Sequence, residues 1–588
     1  MISQANKKQR STTYSVPSPI AGWNTKDALA DMEPTYAVVL ENWWCTSTDL
    51  QIRRGYANFV TGLVGNVETL MSYNAVNGTR KLFAVTSSGN LYDVTTQGAV
   101  GVALVTGLAN GRWQYIAFAT PGGNFLLACN GADSMLRYDG TNWVSITAIT
   151  GAVISSLTGN GTTSTVTTLT PHLMRPGNTI TVTGASVAGF NVAAVSITVT
   201  GANTFTYLST GTPSATGASY VSGEGISGIN TQNISNINNF KTRIWFTKAN
   251  SLSAFYLPSL AIAGAATEFP MGSVFSMGGY LQTMATWTID AGSGSDDNAV
   301  FLSSEGEVLV YKGTDPASST TFALVGLYRQ ADPIGNRSII KYGGDLMAIT
   351  DQGVFALSRS ILTAQVTEVD ALTDKIRPTM AAAVNANRGF GWELCIYSPL
   401  NMLLINVPNT VGGNYQFAMN LITKAFTKFT GWNASCFCSS GSSLYFGSGT
   451  NVCIAWTVDT DNTLPITAKA LPAFSNFGTE SINKKLNLVR PILTSAGMPQ
   501  FLIGINYDYD TITVPTGLLN YSSPSAGMVW GSMTWGTMKW GGLLASLKAW
   551  QWAGGIGYVA SMGIIATNNG SETHWSAVDY VYETGGIL

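Results

Sequence analysis

Short apolar runs joined by tight turns recur along the chain. In each copy, an apolar run of about five residues is followed by a turn rich in Gly, Asn, Asp or Ser and by a second apolar run, often with an aromatic residue. Because strand-forming residues flank turn residues, as at Ser88-Gly89-Asn90, each copy predicts a β-hairpin. The seven copies begin at Lys81, Asn124, Arg243, Asn298, Asp345, Asn401 and Ser443.

The spacing of these hairpins predicts a tandem architecture. Successive copies begin 43, 119, 55, 47, 56 and 42 residues apart. All but one of these intervals fit the roughly 40 to 50 residues of a four-stranded propeller blade with loop additions. A single hairpin cannot bury its own apolar face, so a tandem series favours radial stacking. The sequence therefore predicts an all-β fold built on a β-propeller, and an irregular array of β-sandwiches is the alternative.

The longest interval has the composition of an inserted module. Residues 140–174 and 176–223 contain no Asp, Glu, Lys or Arg and are dense in Thr, Gly, Ser and Val. Ile180 and Val182 alternate with threonines, as do Val195, Ile197 and Val199 with Ser or Thr, which is the period of a half-buried strand. Removing about 65 residues would restore a blade-like interval. A small inserted β-domain is therefore predicted at 156–222.

Helix is scarce in the pattern. One short helix is predicted at Glu33–Asn42, where Pro34 suits the first turn. Another is predicted from Asp370, and Pro378 would limit or kink it. From about Leu464 the blade pattern gives way to a different β-rich segment. The predicted domains are an amino-terminal arm with a short helix at 1–48, the interrupted propeller at 49–461, the insertion, and a separate carboxy-terminal β-rich, platform-like domain at 463–588.

Composition excludes several classes of function. Only 11% of the 588 residues are charged, against about a quarter in typical soluble domains. The 30 basic and 32 acidic residues lack the basic excess of a sequence-reading nucleic-acid binder, and 45% hydrophobic residues do not fit disorder. The first residues are not followed by the apolar core of a signal peptide, and no apolar run approaches the ~18 residues of a membrane span. No membrane span is expected.

Candidate chemical groups favour structural roles. Cys436, Cys438 and Cys453 suggest a thiolate site, but no second pair or histidine completes it, so buried reduced thiols of a cytoplasmic protein are expected. His172 and His574, the only histidines, have no motif that orients a nucleophile. We predict no enzyme, no catalytic, cofactor-binding or metal-binding residue, and no cofactor. The carboxylate pairs that could serve glycoside hydrolysis stand in turn-like surroundings: Asp296 with Asp297, Glu305 with Glu307, and Asp370 with Asp374.

A Trp-Gly repeat stands out near the carboxy terminus. Trp530, Trp535 and Trp540 recur every five residues in MVWGSMTWGTMKWGG, a spacing that matches neither a helix nor a strand. The segment is either a hydrophobic core of strands and turns or an exposed docking tip, since apolar surface patches are rare but meaningful.

Basic residues near the amino terminus are further candidates for contacts. Lys7, Lys8 and Arg10 are either a solvated arm or an arm that becomes ordered in an assembly. With the three repeat tryptophans they form the set of candidate assembly contacts. Arg53 and Arg54 could likewise reach acidic partners or DNA.

Both ends of the chain resemble tail proteins of short-tailed bacteriophages. The run PIAGWNTKDALADMEPTYAVVLENWW, residues 19–44, is followed by LQIRRGY at 50–56, and the chain closes with VDYVYETGGIL at 578–588. In the insertion, residues 170–185 with Phe190–Val192 and Asn203–Tyr207 resemble a small β-module of phage virion proteins. Together with the propeller-like middle, the chain resembles the tail hub, or nozzle, family of podoviruses.

This resemblance implies a structural virion protein. It implies a homohexameric ring below the portal and its adaptor, or head-to-tail connector, ring, with double-stranded DNA passing through the lumen during ejection. Tail fibres, a needle or a plug would dock on the ring. The implied location is the virion tail, after assembly in the cytoplasm of the host bacterium. The near-neutral charge agrees with this role because each neutralised phosphate would add affinity for the passing DNA. The alternative is a propeller-type glycan-binding or glycan-cleaving phage tail protein.

Overall fold

The computed structural model describes residues 11–290, 295–362, 371–519 and 544–585. Strands dominate these residues, and the all-β prediction is confirmed. Within the described ranges the α-helices are Leu357–Leu362 and Arg377–Ala386. Single turns of 3-10 helix lie at Ala188–Phe190, Thr231–Asn233, Asp374–Ile376 and Ser398–Leu400.

The internal contacts of the chain define two compact units. The terminal unit comprises Met1–Phe59, Leu372–Ser448 and Val452–Leu588, and the middle unit comprises Val60–Ala371 and Gly449–Asn451. This division differs from the predicted boundaries at 49 and 461. The hairpins that begin at Asn401 and Ser443 lie in the terminal unit instead of with the other five.

The middle unit is a series of antiparallel sheets whose strands follow one another in sequence order, as in propeller blades. Three sheets have four strands: Gln114–Thr120, Gly123–Cys129, Met135–Tyr138 and Trp143–Ile146; Ile234–Phe240, Arg243–Lys248, Ser253–Tyr256 and Thr267–Pro270; and Leu281–Asp290, Ser295–Ser303, Glu307–Gly313 and Phe322–Arg329. Two have three strands: Val67–Asn74, Arg80–Thr86 and Leu91–Asp93; and Ile339–Tyr342, Asp345–Thr350 and Gly353–Ala356. Short strands lie at Gly98–Ala99, Ile226–Ser227 and Gly264–Ala265, and the strand Tyr56–Thr61 contains the chain boundary between the two units.

Arg337 joins the two ends of this series. It lies in the loop before the fifth sheet, and its guanidinium donates to the backbone oxygens of Glu68 at 3.1 Å and Trp113 at 3.2 Å. Glu68 belongs to the first sheet and Trp113 precedes the second. The fifth sheet is thereby tied to the first two, which is the closure that a propeller requires.

All seven predicted hairpins are confirmed as neighbouring strands of one sheet. Their formation follows from local sequence, since a strand of apolar and β-branched residues meets a turn that reverses the chain. The Lys81 copy shows the rule: Phe83 and Val85 are fully buried, and Gly89 takes the left-handed backbone conformation of the turn with φ at 74°.

The insertion forms its own sheet. Its seven strands pair only with one another among the described strands: Ile154–Gly159, Thr163–Thr168, Thr179–Thr183, Val192–Gly201, Thr204–Leu208, Ser214–Ala215 and Ser219–Ser222. Ile180 and Val182 are buried while Thr183 is exposed, so the predicted alternation is confirmed. The module has a separate apolar core that includes Phe190 and Phe205.

The terminal unit contains two large sheets that share one core. The terminal sheet has the order Trp43–Cys45, Leu50–Ile52, Thr573–Thr584, Lys484–Ser495 and Ala545–Leu547, with Thr12–Pro17 on Thr573–Thr584 and Gln551–Gly557 on Lys484–Ser495. The ten-stranded sheet has the order Glu393–Tyr397, Met402–Val407, Tyr415–Asn420, Phe426–Phe429, Gly22–Trp23, Tyr36–Glu41, Ile466–Pro472, Ala560–Asn568, Gln500–Tyr507 and Gly517–Leu518. The strands Cys436–Ser440, Ser443–Ser448 and Asn451–Ala455 lie side by side in sequence order. Trp43 and Trp575 of the terminal sheet pack with Leu40 and Met562 of the ten-stranded sheet in the shared core.

The predicted helix at Glu33–Asn42 is wrong. Residues Tyr36–Glu41 form a strand that pairs antiparallel with Ile466–Pro472. Ala37 and Leu40 are buried in the shared core, and the β-branched pair Val38-Val39 favours the extended conformation. The pairing partner lies more than 400 residues away in sequence, so tertiary context overrides the local helix signal.

Two domain predictions also differ from the structure. The described part of the predicted arm, residues 11–48, belongs to the terminal unit, because Thr12–Pro17 and Trp43–Cys45 are strands of the terminal sheet. Residues 463–588 are not separate from the amino terminus, because Thr573–Thr584 pairs with Thr12–Pro17 and with Leu50–Ile52.

The second helix begins near the proline that was expected to limit it. A 3-10 turn at Asp374–Ile376 leads into the α-helix Arg377–Ala386, with Pro378 in its first turn. A proline is tolerated there because the first N–H groups of a helix need no intrahelical acceptor. Asp370, the predicted cap, lies outside the described residues.

Candidate assembly surface

The predicted assembly contacts cannot be placed. Lys7, Lys8 and Arg10 fall in residues 1–10, and Trp530, Trp535 and Trp540 fall in residues 520–543; both ranges lie outside the described residues. The surface described below is built from other residues.

Arg53 does not reach a partner or DNA, because it lies at the centre of the terminal unit. Its side chain is fully buried and forms an ion pair with Asp461, with Nη2 at 2.5 Å and Nη1 at 2.8 Å from the carboxylate oxygens. Its Nε donates to Oδ1 of Asn42 at 2.8 Å, and its guanidinium also donates to the backbone oxygen of Thr430. Arg54 is bound as well, with its Nε 2.9 Å from Oδ1 of Asp459. Both arginines therefore pair with acidic residues of this chain.

The residues that carry the resemblance build this network. Asn42 adopts the left-handed conformation, with φ at 60°, and its amide nitrogen donates to the Thr467 oxygen at 2.8 Å. Gly55 is required because a Cβ there would lie 1.9 Å from the backbone oxygen of Thr460. Two motifs of the quoted runs, Asn-Trp at 42–43 and Arg-x-Gly-Tyr at 53–56, therefore meet in one packed structure. The first supplies a polar partner for Arg53, and the second supplies Arg53 itself and the glycine that allows the close approach.

The residues Asn24-Thr25-Lys26-Asp27 of the same opening run form a turn that packs on the 3-10 helix Asp374–Ile376. The Asn24 side-chain oxygen accepts from the N–H groups of Lys26 and Asp27. Lys26 then pairs with Asp374 at 2.6 Å, and Asp27 with Lys375 at 2.8 Å. The turn and the 3-10 helix are thus held by two crossed ion pairs.

An exposed apolar face runs along the strand Gln551–Gly557 of the terminal sheet. We call Leu488, Trp550, Trp552, Ile556 and Tyr558 the outer apolar face. Their exposures are 36%, 41%, 78%, 60% and 49%. Leu488 lies directly opposite Trp552 in the register of the two strands. Among the described strands, Gln551–Gly557 pairs only with Lys484–Ser495, so it is an edge strand.

Arg490, beside the outer apolar face, has its counter-charge within the sheet. The guanidinium of Arg490 lies 4.4 Å from the ring centre of Trp550. Its Nη2 also lies 2.6 Å from Oδ2 of Asp579, its cross-strand neighbour, which is buried. The arginine therefore supports the indole, and its own charge is paired with Asp579.

Buried contacts hold the far end of the same face in place. The fully buried Lys484 donates to the backbone oxygens of Tyr558, at 2.8 Å, and Thr479. Burial lowers the pKa of this lysine. Asp508 accepts from the Tyr558 N–H at 2.7 Å. Such a fixed apolar surface is what a protein interface presents at its centre.

Sequence reasoning missed this face although a signal for it exists. Trp550, Trp552, Ile556 and Tyr558 occur at even spacing, and the residues between them are mainly Ala or Gly. That alternation predicts a strand with one large apolar side and one small side. The Trp-Gly repeat just before it is the more conspicuous pattern.

The other candidate groups are buried or hydrogen-bonded where they are described. All six cysteines are buried, and burial raises the pKa of Cys453 to about 12. Glu307 accepts from the N–H groups of Ser276 and Met277, and Asp297 accepts from the Thr288 hydroxyl. The side chain of Asp296 lies outside the described part. The described residues contain no cluster of three or more His, Cys, Asp or Glu that could hold a metal ion.

The two histidines have packing and pairing partners. His172 is buried, with Nε2 3.0 Å from the Gly201 oxygen and its ring edge-on to Phe205, as expected for a packing residue. His574 lies between two carboxylates, with Nδ1 3.0 Å from Asp49 and Nε2 3.0 Å from Glu572.

Among the described residues no helix is long and apolar enough to cross a membrane.

Comparison with known proteins finds distant similarity to solved structures. No protein-family model and no curated protein matches the chain. Among solved structures, yeast (Saccharomyces cerevisiae) Sqt1 is 10% identical in sequence, and the match covers 69% of this chain and 99% of that chain with a TM-score of 0.34. BBS1N, in complex with ARL6DN, matches with 9% identity, 70% and 99% coverage and a TM-score of 0.32. The β-propeller domain of Cps50 (Swd1) from Myceliophteria thermophila matches with 9% identity, 68% and 99% coverage and a TM-score of 0.27. Scores of this size carry no argument about function, and the fold assignment rests on the sheets described above.

Proposed function

We propose that the chain is a structural subunit of the tail hub, or nozzle, of a short-tailed bacteriophage. It would form a ring below the portal and adaptor rings. The resemblance implies that this ring is a homohexamer. The ring would continue the channel for double-stranded DNA and carry fibres, a needle or a plug. The proposal rests on the sequence motifs of the two chain ends, and its location in the virion tail is part of it.

One observation carries most of the support. The strand Thr573–Thr584, from the closing motif, pairs with Thr12–Pro17 and Leu50–Ile52, from the opening of the chain. The Asn-Trp and Arg-x-Gly-Tyr motifs meet in the Arg53 network of the same unit. Motifs that are far apart in sequence thus serve one structure, as expected if they were inherited together as features of one fold.

The outer apolar face supports a role in assembly. Contiguous exposed apolar surface is uncommon on monomeric proteins, and tryptophan is enriched where interfaces bind most strongly. A net charge of −2 on 588 residues also suits a channel that must release DNA, because it limits the counterion-driven affinity for phosphates.

Electron microscopy of the purified chain tests the proposal. We expect rings with a central hole, and mass photometry is expected to give a single multiple of the 62.2 kDa chain. Particles that remain monomeric at every concentration, alone and with the adaptor ring, would count against it. Release of oligosaccharides from host surface polysaccharide would favour the glycan-cleaving alternative, and binding without release would favour a lectin.

Truncation of the most exposed tryptophan tests the surface itself. Trp552→Ser is expected to leave the fold intact, because the side chain is 78% exposed. It is expected to weaken ring association by about 30-fold, the effect of losing a central interface residue worth ~2 kcal/mol. Val76→Ser, at a position 86% exposed in the middle unit, is the control and is expected to assemble normally. Equal assembly of both variants would exclude the outer apolar face from the ring contacts.

A further inference from the structure

The terminal sheet has two open edges. Toward one end of this sheet the strands lie in the order Thr12–Pro17, Thr573–Thr584, Lys484–Ser495 and Gln551–Gly557. Among the described strands, each of the two outer strands pairs with one inner neighbour only. We call Thr12–Pro17 the amino-terminal edge and Gln551–Gly557 the carboxy-terminal edge. Each copy of the chain therefore presents two different edges of a single sheet.

The amino-terminal edge directs backbone groups away from its sheet. The Ser18 N–H donates to the oxygen of Ser576, one step beyond the paired strands, at 3.0 Å. Bonded and non-bonded pairs alternate along an antiparallel ladder, so Thr13 and Ser15 direct their N–H and C=O groups to the open side. Both residues are exposed. The edge therefore presents the row of donors and acceptors that a further strand would bond.

The carboxy-terminal edge is open in the same way. The Gly585 N–H donates to the oxygen of Asn483 at 2.8 Å, so Asn483 and, two residues later, Lys485 direct their backbone groups to Thr573–Thr584. Ile556 lies opposite Lys485. Because Lys485 bonds to its other neighbour, the N–H and C=O groups of Ile556 point to the open side of the sheet.

Neither edge carries the charges that normally keep such strands apart. Strands that remain exposed at an edge often have charged side chains, which prevent pairing with other chains. The residues of the two edges, TTYSVP and QWAGGIG, include no Asp, Glu, Lys or Arg. The carboxy-terminal edge also carries Trp552 and Ile556 of the outer apolar face. An exposed apolar edge of this kind causes aggregation unless a defined partner covers it.

The two edges are complementary in side-chain size. Thr13 lies in one cross-strand row with Val581, Leu488 and Trp552, and the residues of one row share a face of the sheet. On this face the amino-terminal edge has the small side chains of Thr13 and Ser15, and the carboxy-terminal edge has the large indole of Trp552. Aromatic and β-branched side chains stabilise each other across neighbouring strands, so this indole fits beside Thr13 of another copy.

We propose that the two edges are the two halves of one contact between copies of this chain. The amino-terminal edge of one copy adds to the carboxy-terminal edge of the next, and the terminal sheets of neighbouring copies join into one continuous sheet. This inference rests on the proposed function, because it names the contact that would hold the ring together.

The strand directions fit such a junction. All three pairings between the four strands are antiparallel, so the two outer strands run in opposite directions. Rotation about a ring axis preserves the direction of each strand from copy to copy. The edges therefore meet in the antiparallel arrangement, which is the more stable one. A contact between two different surfaces also repeats head to tail, as a closed ring requires.

The exposed apolar area suits a stable contact. Trp550, Trp552 and Tyr558 are the aromatic residues of the outer apolar face. At ~200 Å² for a whole aromatic side chain, their exposed parts amount to ~300 Å². A standard interface buries ~800 Å² per partner. These three side chains therefore supply about a third of that area before the backbone of the paired strands is counted.

Blocking one edge in each of two variants tests the pairing. Thr13→Pro with Ser15→Pro removes two outward donors of the amino-terminal edge and leaves the bonds to Thr573–Thr584 in place. Ile556→Pro with Trp552→Ser removes an outward donor and the large side chain of the carboxy-terminal edge. Each lost group is expected to cost about tenfold in affinity, so both double variants are expected to self-associate about a hundredfold more weakly than the unchanged chain.

Mixing the two double variants tests the head-to-tail arrangement. Each variant retains one intact edge, and the two intact edges differ. The mixture is therefore expected to form a 1:1 heterodimer, of twice the 62.2 kDa mass of the chain, and nothing larger. Native mass spectrometry distinguishes the variants by mass. Thr13→Val with Ser15→Ala keeps both N–H groups, and this control is expected to assemble as the unchanged chain does.

Three results would overturn the proposal. They are larger assemblies from either double variant alone, no heterodimer from two folded double variants, and failure of the control to assemble. The last result would assign the contact to side chains instead of to the paired backbones.

Hydrogen exchange of the unchanged chain applies if a double variant does not fold. The amides of Thr13, Ser15 and Ile556 are expected to exchange about tenfold more slowly, or slower still, in rings than in monomers obtained by dilution. Equal exchange in rings and monomers would overturn this inference and leave the proposed function in place. A chain that forms no ring at any concentration would overturn both, so the two failures are distinguishable.

Discussion

Buried polar side chains decide the geometry of the terminal unit. Arg53 is fully buried yet has acceptors for its hydrogen-bonding groups, from Asp461, Asn42 and Thr430. Its guanidinium also lies 5.2 Å from the ring centre of Trp432. A buried charge is tolerated only with such a full set of partners, so these residues act as one group.

Arg53 and Arg54 provide a matched pair for testing this point. Arg53→Met is expected to destabilise the terminal unit by about 3–5 kcal/mol, because it leaves the buried Asp461 carboxylate unpaired. Arg54→Ala removes a partly exposed pair with Asp459 and is expected to cost about 1 kcal/mol or less. Urea unfolding, with hydrogen exchange in the terminal unit as the probe, measures the loss of stability in both variants. Similar losses for the two variants would contradict the central role of Arg53.

His574 gives the terminal unit a pH dependence. The hydrogen bond with the Asp49 carboxylate, supported by Glu572, raises the pKa of His574, and the same bond lowers the pKa of Asp49. His574 therefore stabilises the folded terminal unit fully below its unfolded-state pKa of about 6.5. This stabilisation is lost as the pH rises through the folded-state pKa of His574. Asp49 stabilises the folded terminal unit above its unfolded-state pKa of about 4, and this stabilisation is lost as the pH falls. Hydrogen-exchange protection of Thr573–Thr584 is expected to decrease between pH 6 and 8.

The other histidine provides an internal comparison of opposite sign. Burial lowers the pKa of His172. The stability of the inserted module is therefore greatest above pH ~6.5, where this histidine is neutral, and decreases on acidification. Protection of the inserted module is therefore expected to increase between pH 6 and 8. His574→Gln is expected to abolish the pH dependence of the terminal sheet and to leave that of the module unchanged. A decrease that persists in His574→Gln would refute the assignment.

At the scale of elements, local sequence specifies the hairpins but not every element between them. Each hairpin contains its own strands and turn, so its signal is complete within about fifteen residues. The strand Tyr36–Glu41 has a partner at Ile466–Pro472, and nothing near Tyr36 reports that partner. Its apolar run fits a short helix as well as a buried strand, and periodicity alone does not separate the two. Likewise, Pro378 is compatible with a helix that starts at it or one that ends before it.

At the scale of the whole molecule, the insertion is joined to the rest of the middle unit at one place. The chain leaves and returns at neighbouring points, since the Ile226 N–H donates to the Thr147 oxygen at 2.8 Å. Most contacts of the module are internal, although Glu224 lies 3.6 Å from Arg137 of the preceding sheet. The module therefore adds a surface without interrupting the series of blades.

Excision of the module tests this independence. Replacing residues 149–224 by two glycines is expected to preserve the hydrogen-exchange protection of the neighbouring hairpin Gln114–Cys129, because the removed strands pair with one another. Deleting the hairpin Arg243–Tyr256 instead is expected to unfold the middle unit, because its strands are buried between neighbouring sheets. Loss of protection after excision of the module would show that it is part of the propeller core.

The sequence by itself determined the local and compositional features. Apolar alternation and turn chemistry predicted the seven hairpins, the strands of the insertion and the all-β class, because each depends on residues close together in the chain. The low charge predicted few candidate catalytic groups, which is a compositional statement and needs no fold.

Only the tertiary structure decided what depends on residues far apart in the chain. It paired the two chain ends in one sheet, placed Arg53 in a buried network instead of on the surface, and divided the chain differently from the predicted boundaries. It also exposed the outer apolar face. Burial and pairing are sums over neighbours in space, and a single stretch of sequence does not contain those neighbours.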